Sequence, residues 1–302
     1  MTWYRDARTL AAQGPPGRLA AVTPESAGWT YSGLEVHDLA AGPVIVTLDR
    51  DEAVVVPLSA RDVTATVAGA DGAGEYLLAG RDGVFAAVSD CLYVPVGATL
   101  TLAGTQGEVA VCTARAERAF PVRYTPADAV PVTVRGAGAA TRQVTDIATH
   151  TSFEGADRIL VCEVVTPGGN VSSWPPHRHD GLDGCPVANE EIYYFRIGRL
   201  DGAHGHPDGH GLFRVYTVDG AHDETVSVRD GDVYLVPQGY HGPTAAPPEY
   251  PMYFLNVLAG PGQERTMAFC DDPSHAWIRG SWADTTPDPR LPWTSAAGRV
   301  QP

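Results

Sequence analysis

The feature that most limits the fold of this chain is its punctuation. Short runs rich in β-branched residues alternate with glycine, proline and aspartate: VIVTLDRDEAVVVPL (44–58), DVTATVAG (62–69), EYLLAG (75–80), ATLTLAG (98–104) and EVAVCTA (108–114). After residue 140 the same texture resumes in DRILVCEVVTP, EIYYFRI, LFRVYTV, ETVSVRDGDVYLVP and MYFLNVLAG. Such side chains suit a pleated, half-buried surface, and the intervening residues suit turns. Helical periodicity is nearly absent, so the prediction is an all-β chain with two sandwich-type units. The stretch PADAVPVTVRGAGAATRQ, rich in Pro, Gly and Ala, marks the seam. It divides the chain into units over 1–135 and 136–302, the second ending in an irregular tail from about residue 279.

A faint internal repeat agrees with two like units. GVFAAVSDCLYVPVGATL (83–100) and SVRDGDVYLVPQGYHG (227–242) share Asp, an aromatic, Val-Pro, one residue and Gly. Only the second copy has a histidine after its Pro-x-Gly, which predicts one sheet equipped for a metal and one stripped of ligands.

Charge narrows the partners. The net charge of −15 argues against nucleic acid, and no stretch reaches the apolar length of a membrane span. The N-terminus MTWYRDARTL lacks the apolar core of a signal peptide, so a cytoplasmic address is expected. All 21 basic residues are arginine, which removes Schiff-base and pyridoxal chemistry. The five cysteines have no CxxC spacing and are expected to be free thiols in a reducing compartment.

Four residues carry the chemistry: His177 and His179 in WPPHRHD, Glu191 in EEIYYFRIG, and His241 in GDVYLVPQGYHG. Imidazoles and a carboxylate suit a borderline divalent metal. Histidines two apart on an extended segment share a face, as do Glu191, Tyr193 and Phe195. Glu191 is the expected ligand, with Glu190 turned away to the surface. A second His-x-His, in the group His204, His206 and His210, lies in a glycine-rich stretch without a carboxylate strand and is expected to be a solvated turn.

The spacing His-x-His, carboxylate, Gly198, and then Gly231, Pro237, Gly239 and His241, resembles the two motifs of the cupin superfamily. Two departures stand out: eleven residues (180–190) separate His179 from Glu191, and a single residue lies between Gly239 and His241. Longer strings, including TPGGNVSSWPPHRHD (166–180), DGDVYLVPQGYHG (230–242), YFLNVLAGP (253–261), DDPSHAW (271–277) and, in the first half, LYVPVG and RGAGAATRQV, resemble the 5-deoxy-glucuronate isomerase family of myo-inositol catabolism. Arg178, where that family usually has lysine, and Phe213, where it often has glutamine, depart from the pattern.

The resemblance implies a bicupin of two jelly-roll-type β-sandwich or barrel domains. It implies Zn²⁺, with Mn²⁺ or Fe²⁺ as other choices, on His177, His179, Glu191 and His241. It also implies conversion of 5-deoxy-D-glucuronate to 5-dehydro-2-deoxy-D-gluconate. A metal with open positions polarises an aldehyde and the hydroxyl beside it, which suits aldose–ketose isomerisation. Glu163, Tyr193, Tyr240 and a metal-bound hydroxide are the candidate bases, and Arg196 and Arg214 the candidates to clamp the uronate carboxylate. His275 is expected at the site or at a subunit contact, and a homo-oligomer is expected from an exposed strand edge. The rival readings are a 4-deoxy-5-ketouronate isomerase of pectin breakdown, a metal-dependent cupin dioxygenase, and a non-catalytic sugar-acid binding bicupin.

Overall fold

The computed structural model describes residues 3–182, 184–199 and 208–300. Its strands form four antiparallel sheets, two in each half with one larger than the other, besides one short hairpin, Thr294–Ser295 with Gly298–Arg299. The first large sheet runs, in spatial order, through Arg123–Thr125, Cys91–Val94, Asp51–Pro57, Glu108–Arg115, Ser32–Asp38 and Arg18–Val22. The second runs through Tyr4–Arg5, Val233–Val236, Glu190–Ile197, Met252–Ala259, Leu160–Thr166, Arg142–Thr145 and Val132–Arg135. Each faces a smaller sheet of its own: Val44–Thr47, Thr99–Ala103, Arg61–Ala68 and Gly74–Gly80 in the first half, and strands built around Gly211–Tyr216 and Tyr240–Ala245 in the second.

Strand alternation accounts for three separate apolar cores. In Asp51–Pro57, Val54 and Val56 face the other half of the molecule, while Ala53 and Val55 face their own small sheet. In Glu190–Ile197, Ile192 and Tyr194 join that central core, while Tyr193, Phe195 and Ile197 line the interior of the second sandwich. The large sheets are therefore covered on both faces, which explains why their strands read as near-continuous apolar runs rather than as strict alternation.

The repeat seen in the sequence has a structural counterpart. Cys91–Val94 and Val233–Val236 hold the same place in the two large sheets, and both lead into Pro-x-Gly turns whose glycines, Gly97 and Gly239, have φ of 87° and 90°. That backbone region favours glycine over any residue with a Cβ. Val94 pairs with Ala53 in the first half, whereas Val236 pairs with Glu191 in the second. The position that carries a carboxylate in one sandwich thus holds a methyl group packed among Val and Leu in the other.

Two segments cross the division expected at residue 135. Tyr4–Arg5 pairs with Tyr234 and Val233 at one edge of the second large sheet, and Val132–Arg135 pairs with Arg142–Thr145 at the other.

Candidate metal centre and cavity

Glu191 enters the second sandwich from its central strand, flanked by Val236 and Leu258. His177 and His241 arrive from the facing sheet, where they sit directly opposite each other on antiparallel strands. His179 follows one residue beyond that strand. Donor atoms of His179, Glu191 and His241 all lie within 4.8 Å of one another. His179 Nε2 is 3.0 Å and His241 Nε2 3.1 Å from Glu191 Oε2. The His177 ring lies 4.4 Å from that of His241 and 6.5 Å from that of His179, beside the tight group rather than within it.

Each imidazole is aimed in the same way. Nδ1 of His177, His179 and His241 lies 3.2, 2.9 and 3.4 Å from the carbonyl oxygens of Pro175, Asn189 and Gly239. Backbone carbonyls on Nδ1 turn Nε2 toward the cluster, an arrangement that metal-binding histidines commonly use. His241 Nε2 is buried without a hydrogen-bond partner, because the nearby Glu191 oxygen is not aligned for one. A buried, unspent ring nitrogen among oxygen and nitrogen donors fits a divalent cation.

The electrostatics favour the metal-binding form of Glu191 and His177 and oppose it at His179. Burial opposes ionisation of Glu191, yet His179 and His241 hold its carboxyl well below the usual range. Burial, with His241 and His179 beside it, keeps His177 well below its ordinary value, hence neutral. Burial works against the charged form of His179 too, but the hydrogen bond and charge of Glu191 outweigh it and shift that ring upward.

Neither departure in spacing displaces a ligand. Asn189 N donates to the His179 carbonyl at 2.8 Å while His179 Nδ1 meets the Asn189 carbonyl, so the ends of the inserted loop meet and its length is absorbed outside. At the shortened turn, Gly239 N donates to Asp180 Oδ2 at 2.9 Å, and His241 is fully buried beside Glu191. The expectation of free thiols is corrected here, because Cys185 in the insertion forms a disulfide with Cys270. Cys270 lies on the short strand that pairs with His177–Arg178. Partners 85 positions apart come together only through that pairing. Cys91, Cys112 and Cys162 are free and buried.

Of the other predicted residues, Tyr193 alone lines the cavity over the cluster. Its hydroxyl lies 3.2 Å from Ser173 Oγ, and burial together with the Glu191 charge pushes the phenol well above its usual value. Glu163 shares the parity of Val161 and Val165 and faces the central core, where it binds Arg81 and accepts from the Tyr253 hydroxyl at 2.7 Å. Tyr240 packs under Arg178, 5.2 Å from its guanidinium, on the strand face opposite His241. Arg196 shares the face of Ile192 and Tyr194 and pairs with Asp230 at 3.0 Å and with Glu108. Arg214 is half-buried and paired with Asp223 at 2.8 Å.

Glu163 and Tyr240 as bases, and Arg196 and Arg214 as carboxylate clamps, are therefore corrected on strand parity and pairing. Glu190 is corrected as well: it accepts from the backbone N–H groups of Thr30, Tyr31 and Ser32 at 2.6, 2.7 and 2.9 Å. His275 packs against Trp174 at 5.7 Å and does not line the cavity. His210 lies 6.2 Å from the Tyr250 ring, while His204 and His206 fall outside the described residues. The arginines that do line the cavity are Arg135, Arg142 and Arg279. Arg135 and Arg142 both lie in the seam string RGAGAATRQV, from which the resemblance is read but no site is expected.

Two stacked β-sandwiches with, among the described residues, a buried His/Glu/His group in only one of them define a bicupin. Comparison with known proteins narrows this further: the chain belongs to the KduI/IolB family, whose model matches residues 3–278. It is 41% identical over 273 residues to the 5-deoxy-glucuronate isomerase of Geobacillus kaustophilus (strain HTA426), spanning 88% of this chain and 92% of that one. It is 34% identical over 264 residues to the protein of the same name from Halalkalibacterium halodurans, spanning 85% and 91%. Among solved structures, an IolB-like protein from Salmonella typhimurium LT2 superposes with a TM-score of 0.77 at 34% identity, covering 88% of this chain and 97% of that one. An oxalate decarboxylase superposes with a TM-score of 0.58 at 13% identity, covering 85% and 76%, a likeness of fold alone.

Proposed function

We propose that this protein is an aldose–ketose isomerase that converts 5-deoxy-D-glucuronate to 5-dehydro-2-deoxy-D-gluconate within inositol catabolism. The observation that carries the reading is the buried group His179, Glu191 and His241, with His177 beside it, opening onto a cavity in a chain of this family. His177, His179, Glu191 and His241 would hold one divalent metal, for which zinc suits the nitrogen and carboxylate donors best. Such a metal supplies Lewis acidity toward a carbonyl and an adjacent hydroxyl.

The chain's own residues supply position and proton control. Tyr193 keeps its proton over the physiological range and offers it as a donor at the wall of the cavity. Asn256, on the neighbouring strand in register with Tyr193, adds an amide to the same wall. Phe254, Leu258 and Met267 exclude water around these groups and strengthen each polar contact. Among the described residues no helix is long and apolar enough to cross a membrane. The reading is extended to a homo-oligomer in the cytoplasm that acts on a free uronate.

The test is direct. Purified protein incubated with 5-deoxy-D-glucuronate should yield a ketose without consuming oxygen or nicotinamide, and faster than it acts on a 4-deoxy-5-ketouronate. Chelation, or His179→Ala, should abolish turnover, with zinc restoring the chelated protein. Oxygen uptake, or full activity without metal, would overturn the reading.

A further inference from the structure

The cavity over the His/Glu group has a second, basic end. Arg142 and Arg135 stand directly opposite each other on neighbouring strands, and both line the cavity. Like charges in that relation destabilise a sheet. Arg279 adds a third guanidinium from the 3-10 helix Ala276–Trp282. Two of the three are already neutralised: Arg135 by Asp146 at 3.1 Å, and Arg279 by Asp271 at 2.7 Å. Arg142 is not. Its contacts are the Ala140 carbonyl at 3.2 Å and the Trp282 ring at 5.9 Å, and no carboxylate among the described residues bonds it. A guanidinium carries five N–H donors, so most of its hydrogen-bonding capacity is unspent.

We propose that Arg142, flanked by Arg135 and Arg279, binds the carboxylate of the substrate and so determines which end of the molecule reaches the His/Glu group. The proposal rests on the isomerase reading and adds the residue that sets substrate class and orientation. Three observations converge on it. A fork of donors matches a carboxylate bidentately. An anion relieves the repulsion of the opposed arginines. The same cavity is lined at its other end by His177, His179 and Glu191, so a short chain with an aldehyde at one terminus and a carboxylate at the other has a partner for each. Burial, then Arg279 and Arg135, lower the Arg142 pKa to about 10, which leaves it cationic at neutral pH and short of negative charge.

The experiment compares wild type, Arg142→Gln and Arg142→Lys on 5-deoxy-D-glucuronate and on its neutral counterpart, 5-deoxy-D-glucose, in which a hydroxymethyl group replaces the carboxylate. Loss of a charge-assisted pair should lower the uronate-to-neutral ratio of kcat/KM by about 10- to 100-fold in Arg142→Gln, mostly through KM. Arg142→Lys, which keeps the charge but loses the fork, should fall between, and it serves if the glutamine variant does not fold. Equal losses on both substrates, or no loss, overturn the proposal. If wild type turns over neither sugar, the isomerase reading fails while the anion site is still decided by calorimetry with D-gluconate. Binding at least 10-fold weaker in the variant supports the site; equal binding, or none to wild type, overturns it.

Discussion

Glu52 and Glu190 hold equivalent positions in the two halves, and each caps the backbone of the other. Glu52 precedes Ala53, the partner of Val94, and Glu190 precedes Glu191, the partner of Val236. Glu52 accepts from the N–H groups of Asp157, Arg158 and Ile159 at 2.8, 2.6 and 2.7 Å, just before Leu160–Thr166 begins. Glu190 accepts from Thr30, Tyr31 and Ser32, where Ser32–Asp38 begins. The halves are thus clasped by two carboxylates in reciprocal places, so the sheet that carries Glu191 is held at the same point from behind.

Removing either clasp exposes its worth. Glu52 is fully buried and also receives the Tyr93 hydroxyl at 2.8 Å, so Glu52→Ala strands four donors. A loss of about 3 kcal/mol is expected, against about 1–2 kcal/mol for the half-buried Glu190. Denaturant midpoints measure both. Equal and negligible losses would mean that the clasps do not hold the halves.

Glu163 separates a structural role from a catalytic one. Its carboxylate and Arg81 are 2% and 1% exposed, and leaving one of such a pair alone costs about 3–5 kcal/mol. Glu163→Ala should therefore lower the unfolding midpoint sharply, whereas the variant that remains folded should turn over at a rate near that of wild type. A folded, stable variant with no activity would restore Glu163 as the base.

What the sequence reveals and what it hides divide along the range of the interactions. The ligand residues are legible because their aim depends on local parity and on turns, and Glu191 is separated from Glu190 by alternation alone. The same rule already argues against Arg196, which shares the face of Ile192 and Tyr194 and so turns away from Glu191. Glu163 fails for a different reason: an acidic residue in an apolar strand shows no preference for a site over an inter-sheet ion pair. Arg142 acquires its meaning only from Arg135 opposite it across a strand pair, and from Arg279 more than a hundred residues on. The Tyr4–Arg5 edge pairing and the Cys185–Cys270 bond are non-local in the same sense, and no spacing announces them.

Thiol counting checks the disulfide. Unfolded without reductant, the protein should show three reactive thiols, those of Cys91, Cys112 and Cys162, and five after reduction. Cys270→Ser should cost about 2–4 kcal/mol in the oxidised protein and little in the reduced one. Five thiols before reduction would show that the inserted loop is held by packing instead.

The tail gives a pH signature. The Arg290 hydrogen bond lowers Asp288 to about 2 despite partial burial, and Asn170 bonds the same carboxylate at 3.0 Å. A carboxyl depressed in the folded state contributes stability above its ordinary value of 3.8, and that contribution is lost as pH falls toward about 2. Asp288→Asn should therefore flatten the stability profile across that window by about 1 kcal/mol, allowing for solvent around Arg290. An unchanged acid slope would argue that the tail is not held through this pair.

The offset of His177 from the tight group predicts unequal ligands. His179, Glu191 and His241 converge within 4.8 Å, whereas the His177 ring stands 6.5 Å from that of His179. His177→Ala should weaken zinc binding by about 10- to 100-fold, or about 1.4 to 2.8 kcal/mol, and leave a measurable site. Glu191→Ala should leave none, since it removes the one anionic donor and the group that both Nε2 atoms face. Equilibrium dialysis at fixed pH resolves the order, because protons compete with the metal for every imidazole. If His177→Ala binds no zinc and Glu191→Ala binds it normally, the centre is organised around the histidines alone, and the carboxylate serves only to orient His179.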